Sequence, residues 1–120
     1  MNEVDLILKS FCELSVKPLF LLREDENVGY SFDLKVEFIT KMDKLYKKLR
    51  SQGINKLKYI KVRCEYCYPD KPSYEFYSTN SKRFIMRYII FKESRNLIRV
   101  EECLNRPSFN PFSTVNLKID

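Results

Sequence analysis

The chain has 120 residues, 44% of them hydrophobic and 32% charged, with 22 Lys and Arg against 16 Asp and Glu and a net charge of +6. That length suits one domain spanning residues 1–120 around a single core, and that apolar fraction excludes a disordered polyelectrolyte. Only two glycines are present, which excludes glycine-rich phosphate loops, and the lack of histidine excludes Ser-His-Asp triads, HExxH metal sites and two-His-carboxylate centres.

In chain order, residues 2–16 read as a helix. Asn2 is placed to cap it, Glu3 and Asp5 suit the positive end of its dipole, and Ile7, Phe11 and Leu14 recur at helical spacing. Lys17-Pro18 ends it, because a residue before proline avoids the α region. Leu19 to Leu22 fits either a short buried strand or a last apolar turn, and Arg23 to Gly29 is an acidic loop. A second helix begins at Ser31 or Asp33. Its core stripe is Phe38, Met42, Leu45 and Leu49; Lys44, Lys47, Lys48 and Arg50 fill its last turns, and Gly53 stands at the left-handed cap.

Leu57 to Leu104 then reads as four strands joined by tight turns. The first puts Ile60, Val62, Cys64, Tyr66 and Tyr68 on one parity and Lys61, Arg63, Glu65 and Cys67 on the other. Pro69 to Ser73 breaks it, Tyr74 to Thr79 is the second strand, and Asn80-Ser81 turns the chain. Phe84 to Phe91 is apolar on both parities, as a central strand covered on two sides should be. Glu93 to Asn96 leads into the fourth strand, Leu97 to Leu104, and the alternation Val115, Leu117, Ile119 suggests a fifth at the edge. Short connections favour hairpins. The expected fold is α+β: two N-terminal helices packed on one face of a four- to five-stranded antiparallel meander sheet, with helix two against Ile60, Val62, Phe84 or Tyr88.

No apolar run is long enough to span a membrane, and the acidic start lacks the basic opening of a secretory signal, so a cytoplasmic location is expected. The four cysteines then read as reduced thiols, and no cofactor is expected. Cys64-Glu65-Tyr66-Cys67 has zinc-like spacing, but without histidine the remaining ligands would have to be Cys12 and Cys103. Positions 64 and 67 of a regular strand also point to opposite faces, so no metal site is expected.

Charge is unevenly distributed. Residues 1–40 carry a net −4, residues 41–63 a net +8 and residues 64–120 a net +2. Lys44, Lys47, Lys48, Lys61 and Arg63 are the candidate cations for binding a partner or a phosphate, although a lysine-rich helix face is often simply solvated. The tyrosines interleaved with them would suit base stacking, yet most fall on core parity.

The block Arg83-Phe84-Ile85-Met86-Arg87-Tyr88-Ile89-Ile90-Phe91-Lys92, followed by a turn and Leu97-Ile98-Arg99-Val100, resembles the paired strands of RelE-like toxins. Those ribosome-dependent ribonucleases handle a phosphodiester with Lys, Arg and Tyr groups. The resemblance covers Arg83 to Glu102 and implies Arg83, Arg87, Tyr88 and Arg99 as catalytic candidates. Such toxins place a strand and a helix hairpin before the sheet, whereas here one long helix follows an extra helical N-terminus. Two functional expectations result. The first is a small non-enzymatic module with a protein partner, of the immunity-protein, antitoxin, inhibitor or phage-regulator type. The alternative is an RNA-binding protein or a RelE-like ribonuclease using a Lys/Arg/Tyr patch.

Overall fold

Both helices are written into their ends. In the computed structural model, which describes residues 2–22, 29–30, 33–63, 70–94 and 97–103, Asn2 Oδ1 accepts the Asp5 amide at 2.8 Å and opens α1, Glu3–Glu13. The helix stops well before Pro18, because Leu14 takes a left-handed conformation (φ 51°). The Ser15 amide then bonds the Ser10 carbonyl and the Leu14 amide bonds that of Phe11, a Schellman closure. Leucine is unusual at such a position. Its side chain is buried in the core, which offsets the backbone cost of about 1–2 kcal/mol.

Pro18 starts a new element rather than ending the old one. Lys17–Leu21 is a 3-10 helix that buries Leu19 and presents Phe20 and Leu21 to solvent. Two short strands follow, β1 (Gly29–Tyr30) and β2 (Asp33–Leu34), which places Asp33 in a strand just ahead of the second helix. That helix, α2, spans Lys35–Ser51. It ends in a second Schellman closure, with Gly53 at φ 84° and the Ile54 amide bonded to the Leu49 carbonyl at 3.1 Å.

The four strands of the meander are β3 (Leu57–Arg63), β4 (Pro72–Ser78), β5 (Phe84–Ser94) and β6 (Leu97–Glu102), each antiparallel to the next. Among the described residues the sheet order is β2-β1-β6-β5-β4-β3. The ribbon between the helices therefore extends the meander, with β1 running parallel to β6. The fifth strand anticipated at Val115 to Ile119 lies outside the described residues, as do Cys64 to Tyr68.

The helices pack on one face, so the fold is α+β. Phe11 of α1 sits at the centre, its ring 4.9 Å from both Phe76 and Tyr88 and 6.1 Å from Tyr46 of α2. The buried stripe of α2 is Phe38, Met42, Tyr46 and Leu49; Leu45 is half-buried beside it. Tyr46 can lie inside because its hydroxyl meets Ser10 Oγ at 2.8 Å, while Ser10 donates its own proton to the Ser15 carbonyl at 2.7 Å. Arg50 bonds the Leu14 carbonyl, and Lys35 bonds the Phe20 and Leu22 carbonyls, tying α2 to the end of α1 and to the 3-10 helix.

The parity of β3 is the reverse of the expected one. Tyr59 stands opposite Phe76, and Lys61 opposite Tyr74, both core residues. Directly opposed residues share a face, so Leu57, Tyr59, Lys61 and Arg63 lie on the helix face. Ile60 and Val62 lie on the far face and do not meet α2. Phe84 lies there too, its ring 5.8 Å from that of Tyr77, because an extra residue at Ile85 shifts the register of β5. Of the partners anticipated for α2, Tyr88 remains: with Phe38, Met42 and Val100 it lines a cavity of about 210 Å3.

Candidate functional site

The candidate cations fall into two groups. Lys44, Lys47 and Lys48 project from α2 away from its buried stripe; Lys47 pairs with Asp43 at 2.9 Å, while Lys44 and Lys48 form no ion pair among the described residues. Lys61 and Arg63 are exposed at the far end of β3 and are also without an ion pair among the described residues. The two groups are not side by side. α1 lies over β3 and β5, whereas α2 lies toward β1 and β2. Lys61 is four residues past Leu57, about 13 Å further along the strand. Exposed Lys56 and Lys58 occupy the path between them. The result is a basic track from the end of α2 along β3.

β3 is also an edge of the sheet among the described residues. The Thr79 amide bonds the Lys56 carbonyl at 3.2 Å, and that bond sets the phase of the ladder. Lys58, Ile60 and Val62 turn their backbone groups inward to Tyr77, Glu75 and Ser73. Leu57, Tyr59, Lys61 and Arg63 therefore turn theirs outward. Pro72 fits the same phase, since it opposes Arg63 at a position where β4 gives β3 no amide. Two large side chains are exposed here with the cations: Tyr59, 41% accessible, leaning on Tyr74 at 5.5 Å between ring centroids, and Ile60, 51% accessible on the far face.

The arginines of β5 and β6 have a different environment. Arg87 is buried on the far face and bonds Glu75 through Nε at 3.1 Å and through Nη2; the Tyr77 hydroxyl donates to the other Glu75 oxygen at 2.8 Å. Arg99, buried on the same face, bonds Glu93 at 2.6 Å and Glu101 at 2.9 Å. Arg99 holds the exposed Glu93 carboxyl below the usual carboxylate range. Tyr88 points the other way, into the helix face, where burial first and the Glu102 charge second raise its phenol above the usual tyrosine range. Arg83 is exposed at the turn before β5. Arg83, Arg87, Tyr88 and Arg99 are therefore not gathered around one point: two are bonded to carboxylates on one face and the tyrosine is on the other.

Cys12 is half-buried on α1 against the core, and burial, with a smaller effect of Glu13, pushes its thiol up to about 11. Cys103 is buried on the far face beside Arg87, whose carbonyl accepts its amide at 2.8 Å. These two thiols lie on opposite sides of the sheet, and Cys64 and Cys67 are outside the described residues. No group of three or more Cys, Asp or Glu side chains suited to a metal occurs among the described residues.

Two features escaped the sequence. One is the outward phase of the β3 backbone, which depends on pairing. The other is the exposure of Phe20, Leu21 and Val36, of which Leu21 lines an open groove of about 590 Å3 with Leu6, Lys9, Glu13, Lys17 and Pro18. No helix among the described residues is long and apolar enough to cross a membrane. Comparison with protein-family models, with curated proteins and with solved structures gives no match for this chain.

Proposed function

We propose that this protein is a small non-enzymatic binding module whose partner is another protein, met through the basic track of α2 and β3. The observation that carries the reading is the sorting of the cations. The buried Arg87 and Arg99 are bonded to carboxylates, whereas Lys44, Lys61 and Arg63 are exposed and Lys48 half-buried, all four without an ion pair among the described residues. Exposed charges of one sign steer an oppositely charged surface and set the rate and specificity of encounter. Tyr59 and Ile60 supply apolar contact area within the same track, which a purely solvated charge run lacks.

The test is co-purification from the native host using the wild type and a variant with Lys→Glu at positions 44, 47, 48 and 61, with half of each sample treated with nuclease. The variant should fold, because the buried stripe of α2 lies on its other side. A protein retained by the wild type after nuclease and lost from the variant supports the reading. A nuclease-sensitive associate, or tight wild-type binding of generic single-stranded RNA that weakens steeply with salt, makes RNA the partner instead.

A further inference from the structure

The geometry points to strand addition as the mode of recognition: the outer edge of β3 accepts an extended segment of an acidic partner protein, alternating carboxylate and apolar side chains, as a further, antiparallel strand of the sheet. This rests on the protein-partner reading above and names its site and its chemistry.

The backbone comes first. With β4 bonded to Lys58, Ile60 and Val62, the amides and carbonyls of Tyr59, Lys61 and Arg63 form an outward row along a strand of seven residues that is an edge among the described residues. Such a row is a template for another strand and for little else, because its donors and acceptors alternate at the spacing of an extended chain. Side chains then select the occupant. Residues of an incoming strand that bond Tyr59, Lys61 and Arg63 place their side chains on the helix face, where carboxylates meet the Lys61 and Arg63 cations. The residues between them fall on the far face beside Ile60 and Val62, where apolar groups cover exposed surface. Both faces of the edge therefore specify the same alternation.

A second copy of this chain fits poorly. Pairing two β3 edges brings Lys58, Lys61 and Arg63 of each copy into one ribbon with no carboxylate on either strand. Lysines on an edge are a known guard against self-association, but a guard of this sign repels copies and attracts acids.

The probe is an acetylated, amidated seven-residue peptide of alternating Glu and Val, titrated into the wild-type protein with amide-resolved NMR and hydrogen exchange. Binding should slow exchange at Tyr59, Lys61 and Arg63 and leave Lys58, Ile60 and Val62, already bonded to β4, little changed. N-methylation of the Glu residues, whose amides point at β3, keeps the charge and removes the ladder, and should weaken binding at least about tenfold. N-methylation of the Val residues, whose amides point away, should leave binding within about twofold of the parent. Lys61→Pro removes an outward amide without touching the β4 ladder and should lose more affinity than Lys61→Ala.

Equal binding of the two N-methylated peptides would overturn strand addition and leave the charge reading standing. Loss of peptide binding in the quadruple Lys→Glu variant, with the N-methyl difference seen in the wild type, supports both. No binding of the alternating peptide at low salt overturns the proposal. So does a concentration-dependent dimer that protects the same three amides, or an oligouridylate that displaces the peptide from them.

Discussion

The Glu75–Arg87 pair should behave as a buried ion pair in a double-mutant cycle. Glu75 is 4% exposed and Arg87 8%, and the two stand directly opposite each other on neighbouring strands. Two bonds from the guanidinium reach one carboxylate oxygen, and the Tyr77 hydroxyl reaches the other. Glu75→Leu strands a guanidinium in the far face, and Arg87→Met strands a carboxylate; each should cost about 3–5 kcal/mol. Arg87→Met should fall at the lower end, since Tyr77 still donates to Glu75. The double variant removes both desolvation penalties and should lie near the wild type or above it, giving a coupling energy of at least about 3 kcal/mol. An exposed pair such as Lys47–Asp43 gives about 0–1 kcal/mol in the same cycle. Urea unfolding of the four proteins measures all the terms. Single substitutions that each cost under about 1 kcal/mol would refute the reasoning, because they would mean that water reaches the pair.

Tyr46→Phe removes the hydroxyl that meets Ser10 and leaves the Ser10 bond to the Ser15 carbonyl intact, so thermal unfolding should show a loss of about 1 kcal/mol. Gly53→Ala adds a methyl group with nothing within 4 Å at φ 84°, so it should cost about 1–2 kcal/mol through the backbone alone, and Gly53→Asn less. Burial raises the Cys12 thiol to about 11 in the fold from its ordinary 9.0, so the folded state holds its proton longer. The resulting stability is present in full below pH 9.0 and is lost as pH rises through about 11. Denaturation over that window should therefore fall more steeply for the wild type than for Cys12→Ala.

The meander was legible because its signals are local. Period-two alternation, the proline-rich break before the second strand and the Gly53 cap each report on a few neighbouring residues; Gly53 takes the left-handed cap as expected, while β4 starts at Pro72, inside the anticipated break of Pro69 to Ser73. The parity of β3 was not legible, because Leu57 and Tyr59 on one set are as apolar as Ile60 and Val62 on the other; the partner strand decides between them. Tyr46 was missed as a core residue because its polar end is satisfied by Ser10, thirty-six positions away. Strands of two residues, such as β1 and β2, carry no period at all. The cations of the candidate site could be listed from the sequence. Which of the chain's cations are held by carboxylates depends on Glu75, Glu93 and Glu101, whose positions opposite or beside arginines the register reveals.

That register also explains why arginine and lysine occupy different places in this sheet. A guanidinium is planar and weakly hydrated, so it can be held dry against a glutamate, and the Glu75–Arg87 match penalises a slip of one residue that would turn Arg87 to the helix face, toward Phe11 and Tyr46. An ammonium is compact and strongly hydrated, which makes it costly to bury and useful at an edge. Repelling copies of the chain needs only that charge. It does not require Ile60 to stand half in water, since a polar side chain there would guard the edge equally well without exposing apolar area. An edge that keeps an outward backbone row, cations on both faces and an exposed isoleucine is suited to a strand carrying the opposite charge and its own apolar residues, which is why the test falls on the amides of Tyr59, Lys61 and Arg63.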